Sequence, residues 1–242
     1  MKHFFGKRQL VTSLLVTLAL MVGSLVSAPA AQAAIDPNAM VITYKTLWNG
    51  QTIQLPLNGT VNVHVDWGDG SSNDVTNAGW YGHSFATAGT YTVQITGSMT
   101  QYGSDWWYLD SNQYIDTVDS FGNIGLTSLS GAFGLGFRIR SLPATLPAGI
   151  TDLSWAFQHM WQATVDISGW DTSSVTSLRA TFFDFWSFNN DLSGWDVSHV
   201  TDMNATFQAA GSFNGDISGW DTSSCTRFQW MFQDDHAFNQ DI

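Results

Sequence analysis

The chain of 242 residues contains no glutamate; all twenty of its acidic residues are aspartate, set against only 8 Lys+Arg. Glu, Lys and Arg are the residues that usually clothe exposed helix faces, while Asp and Gly disfavour helix interiors. With those three scarce and 22 glycines present, a helical bundle is excluded. Three of the eight basic residues (Lys2, Lys7, Arg8) sit at the extreme N-terminus, leaving Lys45, Arg138, Arg140, Arg179 and Arg227. Such a distribution offers no basic patch to displace counterions from a phosphate backbone, which excludes nucleic acid as a partner. The lone cysteine, Cys225, cannot form an internal disulfide. A chain of this size must then be held by its core alone, which is feasible at about 200 residues. What is abundant points the same way: 44% hydrophobic residues and 12 tryptophans rule out a disordered acidic tail. The expected class is mainly β, turn-rich, acidic and aromatic.

Residues 1–33 read as a secretory signal peptide. Lys2, Lys7 and Arg8 precede an uncharged apolar run from Leu10 to Val26, and small residues follow through Ala34. Basic start, apolar middle and an Ala-x-Ala site are the parts of an export signal, and cleavage after Ala33 is expected. Twenty Asp then face five cationic residues, a formal −15. The mature chain is expected to have no transmembrane span and to be secreted or placed on a bacterial cell surface.

From 38 to 97 the pattern is that of strands. Val61, Val63 and Val65 alternate with Asn62, His64 and Asp66; Tyr91, Val93 and Ile95 alternate with Thr92, Gln94 and Thr96. Period-2 alternation of this kind marks half-buried strands. The segment Asp66-Trp67-Gly68-Asp69-Gly70 and the later His83-Ser84-Phe85 with Ala88-Gly89-Thr90-Tyr91-Thr92-Val93 resemble the hallmarks of polycystic-kidney-disease (PKD) type domains. That resemblance implies a small immunoglobulin-like β-sandwich acting as an extracellular spacer or binding module, without catalysis. Residues 98–121 show no clear period and read as an aromatic connector or cap.

Residues 122–242 are a repeat. Trp170-Asp171-Thr172-Ser173, Trp195-Asp196-Val197-Ser198 and Trp220-Asp221-Thr222-Ser223 recur every 25 residues, and 14 of 25 positions are identical between 170–194 and 195–219. A fixed period in the twenties predicts coils that bury their faces only against their neighbours. The predicted apolar columns are Ile150/Val175/Val200/Cys225, Leu153/Leu178/Met203/Phe228, Phe157/Phe182/Phe207/Phe232 and Ile167/Leu192/Ile217/Ile242. Asp and Ser of Gly-Trp-Asp-x-Ser fit turn capping through side-chain to backbone bonds. The pattern resembles BspA-like leucine-rich-repeat bacterial surface proteins, with units of 25/26 residues reading W-D-x-S-x-V-T-x-M-x-x-x-F-x-x-A-x-x-F-N-x-D-I-S. The resemblance implies a leucine-rich-repeat-like solenoid of about five 24–25-residue coils, and a role in adhesion. The break at Asp241-Ile242, where a further Ser-Gly-Trp-Asp is due, reads as a truncation.

No catalytic site is expected: the five His residues beyond position 33 fall in different registers, and the recurring Asp191, Asp216 and Asp241 read as structure. No cofactor or metal site is expected either. Asp66, Asp69, Asn73 and Asp74 crowd one turn, and Asp234-Asp235 another, but neither matches a calcium loop. The candidate binding residues are Trp161 and Trp186, which share a register one coil apart, and His236, which continues it. Two indoles adjacent on one surface suit a sugar or a partner side chain; the other reading is that both fold back to cover the convex side of the stack. The expected function is an exported binding or adhesion scaffold for an extracellular protein or glycan. The alternative is the accessory region of a larger secreted hydrolase.

Overall fold

A computed structural model describes residues 34–104 and 110–242. The signal-peptide reading and Trp106, Trp107 and Tyr108 lie outside the described residues. Residues Ala31–Ile242 form one compact unit.

The protein is mainly β. Six strands, β1 (Met40–Lys45), β2 (Gln51–Asp66), β3 (Ser72–Val75), β4 (Gly79–Phe85), β5 (Thr90–Tyr102) and β6 (Ile115–Phe121), join in one open antiparallel sheet. The order is β3-β2-β5-β1-β6, with β4 paired to the first half of β2. The alternation read from the sequence is realised in β2, where Val61, Val63 and Val65 are buried and Asn62 and His64 are exposed. In β5 it fails at Gln94, which is buried because its Oε1 accepts the Asp36 N–H at 2.9 Å. The stretch 98–121, which has no legible period, completes the sheet: β5 runs on to Tyr102 and β6 forms an edge beside β1. Tyr44 and Tyr102 join hydroxyls at 3.1 Å in the interior, and burial pushes both phenols above their ordinary range.

The turn after β2 needs its glycine. Gly68 has φ +77°, and a Cβ there would lie 2.5 Å from the Thr92 carbonyl oxygen. The two strand motifs meet beside it. Trp67 is buried and stacks on His83 at 4.8 Å, and His83 Nε2 lies 2.7 Å from Asp69 Oδ2.

Beyond β6 the chain has no regular strand, yet successive copies of the repeat stack in register. Single parallel bridges run from Gln101 to Ser128, Asp152, Ser177, Asp202 and Arg227 in turn. Within each interface four alternate N–H groups donate to the next copy; Leu178, Ala180, Phe182 and Asp184 reach the carbonyls of Asp202, Asn204, Thr206 and Gln208 at 2.8–3.0 Å. On another edge a threonine ladder donates to the preceding copy, with Thr151, Thr176, Thr201 and Thr226 each using both N–H and hydroxyl. Buried backbone groups must find partners, and here they find them one copy away.

The aromatic columns form as read. Phe133, Phe157, Phe182, Phe207 and Phe232 stack at 5.4–5.8 Å between centroids. Phe188, Phe213 and Phe238 make a second ladder, touching the first at 4.0–4.1 Å. The recurring tryptophans Trp170, Trp195 and Trp220 lie against this core, and their indole N–H groups donate to the carbonyls of Pro143, Ile167 and Leu192. The other three columns are buried through Val200, Met203 and Ile217. Their last members differ: Cys225 is partly buried, Phe228 is 43% exposed and Ile242 87% exposed. These three belong to the last copy described, which packs on the copy before it.

Nine non-glycine residues among those described adopt left-handed φ, and all fall into two registers. One holds Trp155, Ala180, Ala205 and Trp230; the other holds Leu135, His159, Asp184, Ala209 and Asp234. Each copy therefore bends twice, four residues apart. Left-handed backbone is unfavourable for residues with a Cβ by roughly 1–2 kcal/mol. Seven of the nine, all but Trp230 and Asp234 of the last copy, donate inter-copy hydrogen bonds that offset that cost.

Candidate functional site

The second left-handed register builds the candidate site. At φ 54° the backbone of Asp184 turns its carboxylate toward the side chains one copy back. Asp184 Oδ2 accepts the Trp161 indole N–H at 2.8 Å and lies 2.7 Å from His159 Nδ1; Oδ1 accepts the Trp186 indole N–H at 2.7 Å. One carboxylate thus anchors both candidate tryptophans. Trp161 is 47% and Trp186 62% exposed. The two indoles, with Gln162 and Asp184, line an open depression of about 440 Å³. Phe137 lies parallel to Trp161 at 6.5 Å, supporting it from the preceding copy. Gly211, in the same register, lies beside Trp186.

The pair predicted from the register is therefore brought together. His236 is exposed and continues the register but does not line the depression. Register alone does not reveal Asp184, His159 and Phe137, which are as much part of the site. The available signal is the spacing Asp184-x-Trp186, which lets an indole N–H reach a carboxylate two residues earlier.

The chemistry open to this cluster is recognition. Asp184 accepts from three donors, and both indole N–H groups are spent on it. The exposed surfaces left to a ligand are the π faces, one lone-pair direction on Oδ1, and the negative charge.

Two other clusters have defined geometry. Ser71 Oγ donates to Asp69 Oδ1 at 2.6 Å and lies 3.5 Å from His83 Nε2, the same ring nitrogen that meets Asp69. A proton relay needs the carboxylate on one imidazole nitrogen and the hydroxyl on the other, so this is a turn clasp. Burial raises the Asp69 carboxyl, but the bonds from Ser71 and His83 outweigh it and leave the group below its ordinary value. The acids of the same turn have structural partners: Asp66 caps Gly68 N, and Asp74 meets His64 Nδ1 at 2.6 Å. Asn73 accepts the Trp67 indole. Among the described residues no group of three or more His, Cys or Asp side chains is placed to hold a metal ion.

The repeated acids are turn caps. Asp166, Asp171, Asp191, Asp196, Asp216 and Asp221 each accept the N–H of the serine two residues on, at 2.9–3.1 Å. Hydrogen bonds from those serines hold all six carboxyls below their ordinary value.

Residues 151–242 match the family model described as "Mycoplasma protein of unknown function, DUF285". The matched stretch begins at the first strongly patterned copy and includes Trp161, Asp184 and Trp186. No curated protein and no solved structure matches the chain. Among the described residues no helix is long and apolar enough to cross a membrane.

Proposed function

We propose that the chain is an exported bacterial surface protein that acts as a non-catalytic binding or adhesion scaffold. The observation that carries this reading is the Trp161–Trp186 pair, held by the partly buried Asp184 carboxylate yet left open to solvent. Large aromatic side chains presented on a rigid frame supply contact area at small entropic cost. The basic-apolar-small pattern of residues 1–33 supports export.

The finer architecture belongs to the same proposal. The meeting of Trp67, Asp69 and His83, with Phe85 stacked on Tyr91 at 4.1 Å, supports a PKD-like module at the strand end. The parallel bridges at intervals of 24 or 25 residues, from Ser128 to Arg227, support a BspA-like, leucine-rich-repeat solenoid after it. The repeat faces then serve as scaffold, and the tryptophan depression as the contact.

Cell fractionation with surface protease treatment tests the location, and retention in the cytosol overturns it. An array of extracellular matrix proteins and glycans, probed with the wild type and with Trp161→Ala and Trp186→Ala, tests the contact. Loss of a binding signal in both variants is expected. Equal binding by both removes the depression from the function.

A further inference from the structure

The depression has a polarity that narrows its ligand, granted the reading of the chain as an extracellular binding protein. Sugars are usually gripped by an aromatic face together with several hydrogen-bond donors and acceptors. Here the indole N–H groups of Trp161 and Trp186 both point inward to Asp184, so neither is left for a sugar hydroxyl. What remains exposed is electron-rich and negative: the surfaces of two indoles bonded to one carboxylate.

Asp184 also lacks a strong counter-charge. No Lys or Arg among the described residues lies in salt-bridge reach of it, and its ion-pair partner is His159. Three of the four described arginines are engaged elsewhere: Arg140 pairs with Asp116, Arg227 with Asp202, and Arg179 sits 5.8 Å over the Trp155 ring, while Arg138 is exposed and forms no ion pair with a described residue. The contact of Arg179 with Trp155 is an intramolecular example of the chemistry the depression offers. A cation over an indole face is attracted by the ring quadrupole, and more strongly where a carboxylate adds its charge. Guanidinium is planar, stacks on aromatic faces and donates in several directions. It therefore matches both the exposed indoles lining the depression and the remaining lone pair of Asp184 Oδ1.

We propose that Trp161, Asp184 and Trp186 form a binding site for an arginine side chain presented by a basic extracellular protein. The guanidinium packs on the exposed indoles and Asp184 accepts one of its N–H groups. A chain with twenty Asp and only 8 Lys+Arg favours approach of such a partner and raises its association rate at low salt.

The test uses the full chain labelled with nitrogen-15, so that indole N–H resonances report each tryptophan. The probes are an acetylated, amidated tetra-arginine peptide, its citrulline analogue, which is nearly isosteric but neutral, and a neutral glucose oligosaccharide. Saturable shifts of the Trp161 and Trp186 resonances by the arginine peptide are expected. Affinity should fall about tenfold or more with citrulline or with Asp184→Asn, since both remove the charge attraction. Asn tolerates left-handed backbone, and Trp161→Ala and Trp186→Ala provide variants at exposed positions should Asp184→Asn disturb the indoles. Equal shifts by the citrulline peptide or the oligosaccharide overturn the proposal, as does undiminished arginine binding by all three variants. Array binding that survives all three variants leaves the adhesion reading standing and removes this site. Arginine binding with a blank array does the reverse.

Discussion

The rings of Phe182 and Phe207 lie 5.4 Å apart and within 11° of parallel, although 25 residues separate them. Both are fully buried, and Phe207 continues to Phe232 at 5.6 Å and to Phe213 at 4.0 Å. The repeat is held by contacts of this type, made between copies. Truncating a buried aromatic in such a ladder removes transfer energy and leaves a cavity. Phe207→Ala is expected to lower stability by about 3–5 kcal/mol, read as the shift in a urea unfolding midpoint. Phe228→Ala, at an exposed position on the last copy, should shift the midpoint little.

Left-handed residues without glycine leave stability to be gained. Ala209 has φ 58° and donates its N–H to Gln233 at 2.8 Å. Ala209→Gly keeps that bond and relieves the Cβ conflict, so a gain of up to about 1 kcal/mol is expected, set against glycine's larger unfolded-state entropy. Gly131→Ala should do the opposite, because Gly131 has φ 65° and an added Cβ would collide with the Ser104 backbone. Thermal unfolding of the two variants beside the wild type measures both signs.

The turn caps make stability fall in acid. Asp166, Asp171, Asp191, Asp196, Asp216 and Asp221 have folded carboxyls held below their ordinary value by bonds from the following serines. A depressed folded pKa contributes stability that is present above the unfolded value, about 3.9 for Asp, and is lost as pH falls through the folded value. Urea midpoints should therefore drop below about pH 4, and Asp171→Asn should flatten part of that dependence.

Asp235 has the opposite sign. Burial raises its carboxyl, only partly offset by the N–H groups of Ala237 and Phe238, and its Oδ2 has no hydrogen-bond partner. A raised folded pKa favours the fold while the acid is neutral, and that contribution is lost as pH rises through the folded value. Asp235→Asn keeps the accepting oxygen and removes the charge. It should leave the midpoint at pH 7 unchanged or higher, whereas Asp171→Asn should lower it.

His83 clasps the turn that follows β2. Replacing it with Ala removes the stack on Trp67 and the bond to Asp69 together, and a loss of about 1–2 kcal/mol is expected. His83→Phe keeps the stack and should recover part of it. The fluorescence of buried Trp67 is a local reporter, though it must be separated from the other tryptophans by difference against Trp67→Phe.

Much of the repeat could be read directly from spacing. Trp170, Trp195 and Trp220, the phenylalanine columns and the Asp caps all lie where a period of 25 places them. Each copy buries itself only against its neighbours, so identity of sequence becomes identity of position. Strands β2 and β5 were legible for a similar reason, since alternation of side chains follows from pleat geometry. The stretch 98–121 was not, because β6 is selected by pairing with β1 rather than by its own pattern.

Sequence by itself thus settled the β-rich class, the period, the core columns and the capping role of the aspartates. These are properties of local pattern repeated along the chain. Tertiary structure decided three other things. It placed two left-handed bends in each copy at residues such as Ala180 and Asp184, where no glycine announces them, because inter-copy hydrogen bonds outweigh a local backbone cost. It fastened the sheet to the stack through Thr100, whose carbonyl accepts both the N–H and the hydroxyl of Thr127. And it gathered His159, Trp161, Asp184 and Trp186 around one carboxylate, a convergence that depends on how one copy sits upon the next and that no single copy encodes.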